Sequence, residues 1–164
     1  MKELILLRHA KSSWKHQALI DFERPLNNDG LLELMELQNW IDEKKIKPEI
    51  ILCSPSVRTY QTFVLANRSL KVGPDNLKLD YELYESGLEQ YITAVKQINP
   101  SINKLLIIGH NPAISMLAQH ISNYQKEVLT GCLLNIKLKI NNWNKIQENC
   151  GTLVEEFIPT RHKK

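Results

Sequence analysis

Three short runs that are apolar at every position constrain this chain more than any other feature: residues 4–7, 50–53 and 105–108. A strand with no polar side is covered on both faces, which is the pattern of a parallel sheet lying between helical layers. Each run stops abruptly in polar residues. The first ends in Arg8, His9, Ala10, Lys11, Ser12 and Ser13, the second in Ser54 and Pro55, and the third in Gly109, His110, Asn111 and Pro112.

Helical spacing fills the intervals. Leu31, Leu34, Met35, Leu37, Trp40 and Ile41 predict a helix over 31–44, with Asn27, Asn28, Asp29 and Gly30 ahead of it as capping and turn residues. Ser54 and Pro55 read as the cap and first residue of a second helix, with Val57, Tyr60 or Gln61, Val64 and Leu65 along one side. It ends near the Gly-Pro-containing stretch 68–74, and a short strand over 77–79 and a loop over 81–87 follow. Leu88, Tyr91, Ile92, Val95 and Ile98 make a third helix that Asn99 and Pro100 terminate; Ala113, Ile114, Met116, Leu117, His120 and Ile121 make a fourth. Beyond Thr130, Leu134, Ile136, Leu138 and Ile140 alternate with Asn135, Lys137, Lys139 and Asn141, and a polar turn leads to 152–158, a terminal antiparallel pair. The expected fold is α/β: a three-layer α/β/α sandwich with a mostly parallel central sheet and antiparallel edge strands.

Length and charge narrow the function. A chain of 164 residues, 43% hydrophobic and 24% charged, is expected to close one domain over 1–164 without disulfides, and it is not disordered. The net charge of +3 is supplied entirely by Arg161, Lys163 and Lys164, so 161–164 is a basic tail, read as a solvated end, on an electrically balanced body. A nucleic-acid partner is not expected, since such binders carry basic residues over a folded face. The run at 4–7 is too short for a signal peptide or a bilayer span, so the expected location is the cytoplasm, with no membrane partner. Cys53, Cys132 and Cys150 are far apart and form no CxxC pair, which signals neither a disulfide framework nor a zinc site.

Loops leaving the carboxyl ends of parallel strands open on one side of the sheet. Here they carry Arg8-His9, Ser54-Pro55-Ser56-Val57-Arg58 and Gly109-His110-Asn111-Pro112, which brings two guanidiniums and two imidazoles to one edge. Arg58, in the first turn of a helix, stands at the wrong end of the helix dipole for a cation, a mark of function. Two arginines offer planar forks for phosphate oxygens, and helix N-termini at Ser54 and Asn111 are expected to add N–H groups. A neutral imidazole inside such an anion trap can attack phosphorus and divide one difficult displacement into two easier ones. His9 is the candidate nucleophile, kept neutral by its cationic neighbours.

The segments Leu6-Leu7-Arg8-His9-Ala10-Lys11-Ser12-Ser13-Trp14, Arg24-Pro25-Leu26 with Gly30, Ser54-Pro55 with Arg58 and Gln61-Thr62, and Gly109-His110-Asn111-Pro112 resemble the histidine phosphatase superfamily. More narrowly, they are similar to its small SixA-like phosphohistidine phosphatase branch, and the motifs keep the family order from the start of the chain to about Ile121. The resemblance implies a phosphoglycerate mutase-like fold, His9 as the phosphorylated nucleophile, Arg8, Arg58 and His110 as groups that bind the transferring phosphoryl, and no metal or cofactor. Arg24 matches a family arginine near the pocket, as a phosphate ligand or as a turn anchor beside Pro25, and Ser12 and Lys11 sit within reach of phosphate. Ala10 stands where many members have glycine, as in the small branch. Many relatives carry a general acid in the loop after the third strand; here Glu82, Glu85 and Glu89 all lie there, with Glu82 and Glu85 the candidates and no unique alignment.

A histidine leaving group departs readily once its ring is protonated, so the lack of a clear acid favours N–P substrates. The expected activity is a metal-independent phosphatase working through phospho-His9 on phosphohistidine in a protein. The alternatives are a small-molecule phosphomonoesterase or mutase of the same superfamily, and a non-catalytic phosphate-binding module. Trp14, Trp40 and Trp143 stay open between packing and pocket wall, with packing the reading for Trp40, and no oligomeric state is legible.

Overall fold

The apolar runs form strands because both of their faces find a core. In the computed structural model, which describes residues 1–163, β1 (Lys2–Arg8), β2 (Ile50–Cys53), β3 (Leu77–Leu79) and β4 (Lys104–Gly109) are parallel. β5 (Leu133–Leu138) runs antiparallel to β1, and β6 (Gly151–Phe157) antiparallel to β5, giving the sheet order β3-β2-β4-β1-β5-β6. Alternate side chains of one strand serve different layers. Leu4, Leu6, Leu52, Leu105 and Ile107 pack with helices α3 (Leu88–Lys96) and α4 (Ala113–Ile121). Ile5, Leu7, Ile51, Cys53, Leu106 and Ile108 pack with α1 (Asn28–Lys44) and α2 (Val57–Leu70). The result is the expected three-layer sandwich with its antiparallel edge pair.

The buried face matches the expected one in part on α1 and differs from it on α2. On α1 the buried residues are Gly30, Glu33, Leu34, Leu37 and Ile41, whereas Leu31 and Met35 are exposed. On α2 the inward stripe is Arg58, Thr59, Thr62, Phe63, Ala66, Ser69 and Leu70, with Tyr60 and Val64 exposed. The spacing from 58 through 62 and 66 to 69 and 70 is helical, so the face that carries Arg58 towards the strand ends is the buried one. The segment 81–87 contains a 3-10 turn, Tyr81–Leu83, whose Leu83 is fully buried.

The basic tail is a correction. Thr160–His162 form a 3-10 turn; Arg161 Nη1 lies 3.1 Å from Glu33 Oε1, and His162 Nε2 donates to the Thr130 carbonyl at 2.9 Å. Excess charge expected to face solvent is thus partly docked on α1, because Glu33, whose side chain is wholly buried, needs a cation. Lys164 lies outside the described residues.

Candidate active site

The site follows from the sheet order. β1 feeds α1 on one face and β4 feeds α4 on the other, so their adjacent carboxyl ends form a topological switch point, where a crevice opens. Arg8 is in register with Gly109, and the His9 N–H donates to the Gly109 carbonyl at 3.1 Å. His9 and His110 are therefore the residues that leave two neighbouring strands side by side, with ring centroids 5.3 Å apart. Behind them the Tyr91 hydroxyl accepts the His110 N–H at 3.1 Å and donates to the Leu83 carbonyl at 2.9 Å.

Hydrogen bonds settle which ring nitrogens are free. His9 Nδ1 lies 2.8 Å from the Ala10 carbonyl, an acceptor only, so Nδ1 carries the hydrogen and Nε2 keeps a lone pair. Burial, and then His110, Arg58 and Arg8, hold His9 well below the usual 6.5 despite that bond. His110 Nδ1 faces the Arg58 Nη2 donor at 3.4 Å, so its Nε2 donates to Ser54 Oγ at 2.7 Å. Burial first and Arg58 second lower His110 to about 3. Both rings are neutral near pH 7.

Two guanidiniums flank the rings. Arg8 Nη1 donates to the Val128 carbonyl at 3.0 Å and lies 3.5 Å from Glu127. Burial lowers the Arg8 pKa from its usual value, but an arginine stays charged. Arg58 Nη1 donates to the Asp21 carbonyl at 2.7 Å and Nη2 to Asp21 Oδ2 at 3.0 Å. The Nε–H groups of both arginines are buried without a partner among the described residues. An unpaired donor in a dry site is costly, so both positions favour an incoming anion.

Asp21 organises the other side. Its carboxylate also accepts from Arg24 Nε at 3.0 Å and from the Tyr84 hydroxyl at 2.7 Å. Partial burial pushes its pKa up, but Tyr84, Arg58 and Arg24 outweigh this and bring it to about 2. Arg24 Nη1 reaches Ser12 Oγ at 2.8 Å, and its guanidinium carbon lies 3.5 Å from the centre of the exposed Trp14 ring. Arg24 is thus a loop anchor that also faces the pocket. Together Arg8, His9, Lys11, Ser12, Trp14, Arg24, Arg58, His110, Asn111 and Thr130 line a hollow of about 230 Å³. A larger hollow of about 660 Å³ at the other end of the sheet, lined by Met1, Lys139, Ile140, Asn141, Lys145 and Gln147, has neither an imidazole nor a guanidinium.

Some expected residues lie elsewhere. Glu82 and Glu85 are exposed and do not line the pocket; Glu82 borders a separate hollow with Asp80, Glu89 and Gln90. The residue of that loop that touches the site is Tyr84, half-buried with its ring edge-on to His110 at 5.6 Å. Ser54 is not the cap of α2; Ser56 is, because Ser54 Oγ is taken by His110 at 2.7 Å. α4 starts at Ala113, and Asn111 just ahead of it accepts the first-turn Ser115 N–H on Oδ1 at 3.2 Å while its Nδ2 donates to the Val128 carbonyl at 2.8 Å. Trp143 is fully buried and Trp40 packs on Phe157, so only Trp14 reaches the pocket. Sequence reasoning misses Asp21, Tyr84 and Thr130. An acid three residues before Arg24 is the one available signal for Asp21.

The described residues contain no cluster of three or more His, Cys, Asp or Glu side chains placed to hold a metal ion, and no helix long and apolar enough to cross a membrane. A neutral, buried imidazole beside charged guanidiniums at a strand-end crevice defines a class of proteins that handle phosphoryl groups through histidine. Residues 4–92, more than half of the chain, match the profile of the histidine phosphatase superfamily (branch 1), and the chain belongs to that family; it is a phosphatase. It is 26% identical over 121 residues to phosphohistidine phosphatase SixA of Escherichia coli (strain K12), covering 73% of each chain. Among solved structures, a protein provisionally assigned as phosphohistidine phosphatase SixA from Nakamurella multipartitia shares the fold with a TM-score of 0.82 at 20% identity over 96% of both chains. The protein histidine phosphatase SixA complexed with tungstate shares it with a TM-score of 0.78 at 21% identity, over 98% of this chain and 99% of that one.

Proposed function

We propose that the chain is a metal-independent phosphatase that works through a phosphohistidine on His9 and acts on phosphohistidine in a protein substrate. The observation that carries the reading is the pairing of a lone-pair-bearing His9 Nε2 with unpartnered Nε–H groups on Arg8 and Arg58. These donors, with Lys11, Ser12 and Arg24 on the rim, are suited to the three non-bridging oxygens of a phosphoryl group.

His9 Nε2 attacks phosphorus, the N–P bond of the substrate breaks on the opposite side, and the departing imidazole keeps the proton on its other nitrogen. Arg8 and Arg58 hold the charge that spreads over the equatorial oxygens. A phosphoryl dianion next to His110 offsets part of the lowering of its pKa, while its Nδ1 accepts from Arg58 and its Nε2 donates to Ser54. Water then attacks phosphorus, the Nε2–P bond breaks, and inorganic phosphate leaves a free His9. No carboxylate lines the pocket among the described residues, which supports a nitrogen leaving group over an alkoxide, since the latter needs a strong acid. Two relatives named for phosphohistidine phosphatase activity support the same substrate class.

The test is turnover, under chelation, of a histidine-phosphorylated protein beside sugar phosphates and an aryl phosphate. Preference for the phosphoprotein, and acid-labile, alkali-stable phosphate on quenched enzyme that is absent from His9→Ala, are the expected results. A strict requirement for divalent metal, or turnover retained by His9→Ala, overturns the reading.

A further inference from the structure

Glu33 is a carboxylate that catalysis does not use, with its side chain fully buried in α1. Its Oε2 accepts the Lys11 N–H at 2.9 Å, two residues beyond His9, and its Oε1 accepts the Thr130 hydroxyl at 2.9 Å. Thr130 lines the pocket, and the N–H of the next residue, Gly131, donates to the carbonyls of both Arg8 (3.2 Å) and His9 (3.1 Å). The back of the phosphate loop and the pocket wall opposite are therefore tied to one carboxylate. The fit is tight: a Cβ at Gly131, whose φ is +72°, would lie 2.7 Å from Glu33 Oε2, and one at Gly30 would collide with the Lys11 carbonyl.

A charge in that position is costly unless it is paired. The cation that reaches it is Arg161 of the C-terminal turn, Nη1 at 3.1 Å from Oε1, with Nη2 3.5 Å from Asp29. His162 Nε2 sits 3.4 Å from the same Oε1 and donates to the Thr130 carbonyl at 2.9 Å. A turn 128 positions from Glu33 in sequence thus completes the support of the catalytic loop.

We infer that Glu33, Arg161 and His162 are positioning residues for the phosphoryl pocket, so that the C-terminal turn sets turnover and anion affinity by holding the loop that bears Arg8 and His9. The inference rests on the reading of the pocket as a phosphate site. Arg161 neutralises Glu33, Glu33 fixes the Lys11 amide and Thr130, and these fix the geometry around His9. Unpairing the carboxylate drives it towards solvent and pulls the loop out of register.

The test uses the full chain with Arg161→Met, Arg161→Lys, His162→Gln, Glu33→Gln and the pair Glu33→Gln/Arg161→Met. Four quantities are read on folded protein: kcat and KM for an aryl phosphate, the Kd for inorganic phosphate by calorimetry, and Tm. Arg161→Met is expected to lower kcat and weaken phosphate binding by roughly tenfold each, the scale of a sub-ångström misplacement. Arg161→Lys stays near wild type. The double variant recovers most of the loss, because the side-chain amide that Glu33→Gln introduces still accepts from the Lys11 N–H but carries no charge to pair. His162→Gln, which retains a donor, shows a smaller loss than Arg161→Met. If Tm falls in Arg161→Met while kcat and the phosphate Kd hold, or if the double variant is worse than Arg161→Met, the positioning role is overturned. Should Arg161→Met not fold, recovery in the double variant and retention in Arg161→Lys decide the matter. A wild type that binds phosphate without turnover defeats the enzymatic reading yet leaves the Kd comparison decisive; one that does neither overturns both.

Discussion

His9 has one nitrogen bound to a carbonyl and the other free, and this division of labour is what the proposed role as nucleophile at neutral pH requires. Replacing it by alanine is expected to remove at least about 10³-fold of the turnover while leaving the circular dichroism spectrum unchanged. Arg58→Ala should cost about 10²–10³-fold in kcat, the scale for losing one preorganised donor. Asp21 holds Arg58, Arg24 and the Tyr84 hydroxyl at once, so Asp21→Asn is expected to lower kcat/KM roughly tenfold to hundredfold without abolishing the phosphoenzyme, measured by rapid quench. Arg8, His9, Arg58 and His110 are legible in the sequence because each follows an apolar strand whose end fixes its place. Asp21 and Glu33 are not. Their roles arise from partners 37 and 128 positions away, and nothing in the local pattern distinguishes them from surface acids.

At the scale of elements, strands are easier to read than helix faces. A strand buried on both sides is apolar throughout, so Leu4 to Leu7 admits few alternatives, and its two cores follow from alternation. On α1 and α2 the apolar residues exceed what the core takes up, leaving Leu31, Leu32, Met35, Tyr60 and Val64 exposed, while Thr59, Thr62 and Ser69 face inward. Hydrophobic spacing then points to the wrong side of α2, whereas on α1 Leu34, Leu37 and Ile41 of the expected set are buried. The threonines are inside because they bond backbone: Thr59 Oγ1 donates to the Ser54 carbonyl at 2.6 Å, and Thr62 Oγ1 to that of Arg58 at 2.7 Å while accepting the Ala10 N–H at 3.1 Å. The observed face predicts that Ala66→Leu destabilises by about 1–3 kcal/mol through overpacking. Val64→Lys, on the exposed side, should shift stability by no more than about 0.5 kcal/mol. Urea titrations of the two variants distinguish the faces.

Over the whole molecule, the burial of His9 and His110 couples the site to the stability of the fold. Both have native pKa values below the 6.5 of an unfolded histidine, with His110 at about 3. Between pH 6.5 and 3 the unfolded chain binds protons that the native protein does not, so stability falls as pH drops through that window and is recovered above it. His110→Asn should flatten the slope of unfolding free energy against pH there, as measured by denaturant titration at several pH values, and saturating inorganic phosphate should shift the midpoint upwards at every pH.

The parallel ladder between β1 and β4 also works as a ruler. Arg8 lies opposite Gly109, and the spacing of the two imidazoles is inherited from that pairing. A slip of one residue would slide one ring about 3.3 Å past the other and turn it to the opposite side of the sheet. On the proposed mechanism, misaligned assembly yields an inert molecule rather than a sluggish one, and outer helices can change without recalibrating the spacing of the two rings.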